Sequence, residues 1–347
     1  MGDILGFNNL MDNQDSQKCP KCQSSDVVVF KFYVTVHNGD RSLHRCGGCQ
    51  TTFSETCGTP MENIKSPISK VASALRIRSE GLGLRATGRV MGSDKNTISG
   101  WEKRFAAQKE TLMLYAFCHQ FVSLTFEGDE LYTIVGKRTD PSDSVGWTAV
   151  IMERGSRFLV DQQCGAKNAE LFTSVMSTVC QFVDQAQDLT FLSDGERRYG
   201  NTLFSLCAEV LQTGTHGRPP KVLPQGVKVR VKNKGDQKYK RGPKRPKYQS
   251  PQREHPDTDQ NLPESEINAN RTEAQNAAKR RRNSAFRRRT NTYAKSEDGL
   301  QRTLDIDLLI HNFVRPHWTT GMVPAVKLGI KMDPLHLEDI LNMKKTA

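Results

Sequence analysis

The pattern of hydrophobic and polar positions changes several times along the chain, and each change predicts a different kind of element. Residues 27–36, Val27-Val28-Val29-Phe30-Lys31-Phe32-Tyr33-Val34-Thr35-Val36, form a nearly unbroken β-prone run. The hairpin-turn signal His37-Asn38-Gly39-Asp40 and a shorter strand, Ser42-Leu43-His44-Arg45, follow it. From 62 to 108 the apolar residues fall into short helical repeats. Pro67 opens the first, with Ile68, Val71 and Leu75 on one face. After a break at Glu80-Gly81-Leu82-Gly83, a second helix spans about 84–91 and ends at Gly92. Ser93 is the expected cap of a third helix whose Ile98, Trp101 and Phe105 face inward. Strand and helix patterns then alternate: strands at 124–135, 146–152 and 157–160, a helix at 168–183, and a buried strand at 189–193. The last third holds a helical stretch from 271 to about 295 and another at 300–313, then a Pro-containing end. The predicted organisation is a disordered stretch at 1–16, a metal-binding hairpin at 17–60, a tri-helical unit at 61–110, an α/β core at 118–298 and a helical tail at 299–347.

Charge changes this picture in one respect. The 347-residue chain carries a net charge of +12 and a pI of about 9.3, which implies a polyanionic partner, either nucleic acid or an acidic membrane surface. Residues 218–247 hold twelve Lys or Arg against one acid, Asp236, so 218–269 reads as a basic insertion in the α/β core. No apolar run approaches the roughly eighteen residues of a membrane span. Residues 1–13 lack the pattern of a secretory signal, so a cytoplasmic, nucleoid-associated protein is expected. Nine cysteines are present, an odd number. Four form two Cys-x-x-Cys pairs, and Cys57, Cys118, Cys164, Cys180 and Cys207 are scattered, as expected of metal ligands plus reduced thiols.

The pairs are Cys19-Pro20-Lys21-Cys22 and Cys46-Gly47-Gly48-Cys49, on either side of the hairpin. A hairpin that returns the second pair to the first is the arrangement of a four-cysteine zinc ribbon, with glycines expected where the backbone turns toward the metal. A redox Cys-x-x-Cys is the alternative. Four thiolates leave the zinc no open position, so its role is structural. In the tri-helical unit, Lys95, Asn96, Thr97 and Ser99 lie near the start of the third helix, where a helix-turn-helix protein meets base edges in the major groove. A bundle used only for packing has the same pattern.

The α/β core carries carboxylates. Asp129 falls in the first strand, Leu124-Thr125-Phe126-Glu127-Gly128-Asp129-Glu130-Leu131, and Asp194 just past the fourth. The order β-β-β-α-β is ribonuclease-H-like and makes those two strands neighbours. Phosphodiester chemistry of this kind uses two divalent ions about 3.5–4 Å apart, gripped by hard carboxylate oxygens. Glu273 is the candidate third acid, with Asn276 and Arg280 on its face. Each assignment has an alternative: Glu127 or Glu130 for Asp129, a strand-end turn for Asp194, Glu264 or Glu266 for Glu273. Glu273 also fits a capping box behind Asn270. Lys279 through Arg282, then Arg287 through Arg289, with Arg280, Arg281, Arg287 and Arg288 foremost, are placed to run along a phosphate backbone.

In these segments the chain resembles the insertion-sequence-one family of bacterial transposases. The resemblance rests on the paired cysteines followed by the tri-helical unit, on Asp129-Glu130-Leu131-Tyr132-Thr133-Ile134-Val135-Gly136-Lys137, on Ser193-Asp194-Gly195-Glu196-Arg197-Arg198-Tyr199-Gly200-Asn201, and on Glu273-Ala274-Gln275-Asn276 continuing through Arg280-Arg281-Arg282 to Lys295. The tail His311-Asn312-Phe313-Val314-Arg315-Pro316-His317 is similar to the end of many transposase catalytic domains. The resemblance implies Asp129, Asp194 and Glu273 as a DDE triad of metal ligands, magnesium (with manganese as a substitute) as cofactor beside structural zinc, and terminal inverted repeats as substrate. A homo-oligomer is expected, because two element ends must be held together. One departure stands out: Arg271-Thr272 occupies the place of the expected histidine and apolar residue before the glutamate. A non-catalytic regulator derived from a transposase is the alternative function, and a structure-specific nuclease on the same fold is a third.

Overall fold

The computed structural model describes residues 18–212, 214, 217–232, 248–249, 252–287 and 291–345. The expected disordered stretch at 1–16, Arg288 and Arg289, and residues 233–247 of the basic segment lie outside them. The chain forms two compact units, one of residues up to Cys118 together with 333–345, the other of 119–332.

The first unit opens with an antiparallel sheet of β1 (Val27–Thr35), β2 (Gly39–Cys46) and β3 (Thr52–Ser54), in that order. Gly39 takes the left-handed φ of +68° that the hairpin turn needs. Four helices follow: α1 (Ile68–Ser79), α2 (Leu84–Met91), α3 (Lys95–Ala106) and α4 (Lys109–Phe117). Val71, Leu75, Ile98, Trp101 and Phe105 are buried, as the periodicity predicts, whereas Ile68 is half-buried. Gly92 ends α2 at a left-handed φ of +57°. The cap of α3 is Asp94 rather than the expected Ser93: its carboxylate accepts the Asn96 N–H at 2.7 Å. Ser93 is taken up by the exit from α2, where its N–H bonds Gly88 O at 2.9 Å. Pro67 gives α1 no side-chain cap. Asn38 at the hairpin tip supplies one, accepting the Ile68 N–H at 2.9 Å and donating to Ser66 O at 3.1 Å. The closing helix Leu337–Asn342 packs on α1, and Lys345 N–H bonds Gly58 O at 3.1 Å. The expected C-terminal tail is therefore divided between the units, its last residues belonging to the first.

The second unit is built on a mixed six-stranded sheet of order β11-β10-β7-β4-β5-β6. Its strands are β4 (Phe121–Tyr132), β5 (Trp147–Glu153), β6 (Leu159–Gly165), β7 (Ala186–Ser193), β10 (Val227–Lys232) and β11 (Tyr248–Gln249). Strands β8 (Glu209–Val210) and β9 (Lys221–Val222) pair separately. β4, β5 and β6 are antiparallel neighbours, whereas β7 runs parallel to β4 and β10 parallel to β7. Between β6 and β7 comes α5 (Ala169–Val183), capped by Asn168. α6 (Arg198–Cys207) follows β7. α7 (Asn270–Arg282) lies against β4 and β5, and α8 (Glu297–Phe313) against β6, followed by the short α9 (Pro324–Lys327). Phe126, in edge contact with Phe182 of α5, and Gly128, against Phe191 and Tyr199, belong to one face of β4. Glu127 and Asp129 belong to the face under α7.

Within 218–269, which sequence reads as a basic insertion, β10 is a strand of the main sheet. Val227, Val229 and Val231 alternate with Lys228 and Arg230, and all five are buried. Lys228 is held by Asp188 at 3.3 Å and by Asp259 O at 3.1 Å. Arg230 pairs with Glu254 and accompanies Gln260 at 3.0 Å. These cations satisfy a central strand and are not free for a phosphate backbone.

α7 and α8 are joined by buried polar contacts. Lys279, with no side-chain exposure, meets Asp307 at 2.8 Å, so it does not run along a phosphate backbone as its sequence position suggests. His311 bonds Arg157 O through Nε2 at 2.7 Å and Gln275 through Nδ1 at 3.4 Å. Burial lowers the His311 pKa to about 4 from 6.5. Between those values the unfolded chain takes up a proton that the fold refuses, so stability falls as pH falls through this window. We expect wild-type melting temperature to drop more between pH 7 and pH 4.5 than that of His311→Gln, measured by thermal denaturation at each pH.

Candidate functional site

The four paired cysteines come together. Their Sγ atoms all lie within 4.8 Å of one another, with Cys19–Cys49 at 3.4 Å and Cys22–Cys46 at 3.5 Å. Tetrahedral zinc with Zn–S of about 2.3 Å spaces its sulfurs about 3.8 Å apart, so the cluster is sized for that ion. The two knuckles are built alike: Gln23 N–H bonds Cys19 O at 2.9 Å, and Gln50 N–H bonds Cys46 O at 3.0 Å. The left-handed residues are Gln23 and Gln50, each at φ +58°, rather than the expected glycines. Gly47 is small for another reason, since a Cβ there would lie 1.9 Å from Asp26 Oδ2.

In the second unit, β4 and β7 are in register with Gly128 opposite Ser193. β7 ends at this pair, so Asp194 is the first residue beyond that strand and Asp129 the next along β4. Gly195, at φ +82°, turns the chain away immediately afterwards. α7 brings the remaining groups. Asn276 Nδ2 donates to Asp129 Oδ2 at 2.9 Å, and Glu273, one turn earlier, is near enough to raise the Asp129 pKa. Asn276 is only 2% exposed, so it serves this cluster rather than the expected DNA contact. Its Oδ1 is buried with no hydrogen-bond partner.

Of the acids left open by sequence, Glu127 and Glu130 have cationic partners of their own. Glu130 pairs with Lys167 at 2.8 Å, and Lys167 also lies over the Trp147 ring at 4.5 Å. Glu264 and Glu266 occupy an exposed 3-10 turn. Glu127, at 0% exposure, takes Arg154 Nε on Oε1 at 2.6 Å and the N–H groups of Arg271 and Thr272 on Oε2, each at 3.0 Å. α7 has no cap of its own: Ala269 is its cap residue, and no capping box joins Asn270 to Glu273. Glu127 fills that role from another strand. Arg271-Thr272 finds its use here, as Thr272 Oγ1 bonds Glu127 O at 3.2 Å and the Arg271 guanidinium stands 3.5 Å from Oε1. Sequence reasoning missed this arrangement. Its only sequence trace is the spacing of two that puts Glu127 on the same strand face as Asp129.

Of the expected DNA-contacting residues, Lys95, Asn96 and Thr97 are exposed and Ser99 is half-buried at the start of α3. Arg281 and Arg287 are exposed and Arg280 half-buried, along and just beyond α7.

Burial pushes the Asp129 carboxyl up to about 6, with the Glu130 N–H and Asn276 opposing the rise and the charges of Glu130 and Glu273 adding to it. Between the ordinary value of 3.8 and about 6, the fold binds a proton that the unfolded chain does not. Stability is therefore lost as pH rises through this window, and the loss persists above it. We expect Asp129→Asn to melt several degrees above wild type at pH 7.5, with the gap closing near pH 3.5. Calorimetry at the two pH values checks this. For the thiolate cluster, we expect about one zinc per chain by elemental analysis. Chelation or Cys46→Ser should unfold the ribbon and leave the second unit's circular dichroism intact.

No family model matches this chain, and no curated protein matches it. A solved structure, "Crystal structure of a pre-cleavage Mos1 transpososome", is similar at 9% sequence identity and a TM-score of 0.14. The match covers 37% of this chain and about half, 52%, of the Mos1 chain.

Proposed function

We propose that this protein is a DDE-type DNA transposase with a ribonuclease-H-like catalytic core, in which Asp129, Asp194 and Glu273 hold divalent metal. The observation that carries the reading is the convergence of β4, the end of β7 and α7 on one patch, with Asn276 bonded to Asp129. The residues fit magnesium or manganese. The donors are hard oxygens, and the buried Asn276 Oδ1 beside them is an acceptor with no hydrogen-bond partner. The sheet order, with two parallel strands beside an antiparallel three-strand run, is compatible with that core.

Divalent ions would supply Lewis-acid activation of the phosphodiester at this patch. The chain's own residues do the rest. Asp129, Asp194 and Glu273 bind the ions, and Asn276 fixes the Asp129 carboxylate. Arg280, Arg281 and Arg287 neutralise the phosphates of the bound strand. In the first unit, α2 and α3 act as a helix-turn-helix, with Lys95, Asn96, Thr97 and Ser99 toward the major groove of the terminal inverted repeats. The zinc ribbon braces this module through the Asn38 cap on α1. A homo-oligomer holds two ends for strand cleavage and transfer.

The test is a transposition assay with a marker flanked by the DNA on either side of the gene. Movement with wild type, reduced at least about a thousandfold in Asp129→Asn, Asp194→Asn and Glu273→Gln, is expected of metal ligands. No movement with wild type, alongside zinc-dependent binding to those ends, would replace this reading with a DNA-binding regulator.

A further inference from the structure

Glu127 does more than fill a gap in the hydrogen-bonding of a helix. Its two carboxylate oxygens face different partners. Oε1 is held by Arg154, and Oε2 takes the two backbone donors that α7 leaves open. Arg154 also donates through Nη2 to Asn268 O at 2.6 Å, so both the approach to α7 and its first turn are tied to one point on β4. A second tie, Asn276 to Asp129, lies further along the same pair of elements. The spacings match. Two residues of strand, Glu127 to Asp129, advance roughly 6.6 Å. From the Arg271–Thr272 pair to Asn276 the helix rises roughly 7 Å. The strand and the helix therefore run in step, with Glu127 fixing the origin.

We propose that Glu127 is a positioning residue that sets the register of α7 on β4 and so holds Glu273 and Asn276 opposite Asp129. The functional consequence rests on the reading of this patch as a divalent-metal site. A slip of one residue along the helix would rotate Glu273 by about 100° about the helix axis, given 3.6 residues per turn, and carry it away from Asp129. The pairing is also self-consistent: a buried carboxylate needs both the guanidinium and the helix N–H groups, and α7 needs a cap that Ala269 lacks.

The experiment uses the full-length, zinc-loaded chain with Mn2+ as the probe. Asp129-dependent Mn2+ affinity is measured by calorimetry, and backbone amide exchange over 271–276 by mass spectrometry without Mn2+. Glu127→Asp keeps the charge for Arg154 but withdraws the carboxylate by one methylene. Glu127→Gln with Arg154→Met removes the whole pair, so that no unpaired guanidinium is left if a single variant folds poorly. Glu254→Gln, which removes the negative charge paired with Arg230 at β10, serves as a destabilised control. We expect both Glu127 variants to lose Mn2+ affinity about 10–100-fold and to exchange faster over 271–276, while the control keeps wild-type affinity. Folded Glu127 variants with wild-type affinity and exchange would overturn the proposal. If wild type itself binds no Mn2+ through Asp129, the metal-site reading falls instead. Exchange then decides alone: faster exchange confined to 271–276 upholds the register role, and unchanged exchange ends it.

Discussion

A carboxylate with no exposure to water cannot be held charged without close partners, and Glu127 has four of them within one side chain's reach: Arg154, Arg271 and the backbone N–H groups of Arg271 and Thr272. Through this group α7 is attached to the central strand. The attachment continues outward. Lys279 joins α7 to Asp307 of α8, Gln275 meets His311, and Asn312 bonds both the N–H and the O of Leu159 at 2.8 Å, like an added strand residue at the edge of β6. One face of the sheet is thus covered by helices fixed through polar contacts at defined points. Apolar packing alone tolerates sliding; hydrogen bonds to single atoms do not.

The same device recurs in the first unit. α1 begins at Pro67, which offers no side-chain oxygen, and Asn38, about thirty positions earlier, caps it. By contrast α3, α5 and α8 carry their own caps, Asp94, Asn168 and Ser296. The two helices that borrow caps are those whose placement relative to another element matters most. One leans on the hairpin that carries the four-cysteine cluster, the other on the strand of Glu127 and Asp129. A cap taken from a distant segment satisfies the helix end and orients the helix in the same contact.

Charge shows a related division of labour. Three cations in the basic half of the chain, Lys228, Arg230 and Lys279, are buried and paired. Composition counts them with the exposed Arg281 and Arg287, although they do opposite work. The exposed cations supply a field for a polyanion, while the buried ones neutralise acids that hold strands and helices together. The net charge of +12 describes the long-range field and says little about which side chains touch a partner.

Local patterns determined a good deal unaided. The two Cys-x-x-Cys pairs around a hairpin, the three short helices with Gly92 between the second and third, and the strand and helix order from 121 to 193 all follow from side-chain periodicity and turn chemistry acting within a few residues. The positions of Asp129 within β4 and of Asp194 just past β7 were legible because apolar runs mark both strands. What depended on segments far apart in sequence was decided only by tertiary structure. β10 was hidden because its charges are buried by partners drawn from 188 and from 254 to 260. The left-handed residues of the knuckles were Gln23 and Gln50, since backbone closure around the thiolates sets φ there whatever the side chain. Glu127 was open to reading as a metal ligand because no local signal reports that a helix more than a hundred residues later arrives without a cap. A sequence shows which groups are available; the choice of Asp129 for the cluster and Glu127 for its scaffold is made where α7 meets β4.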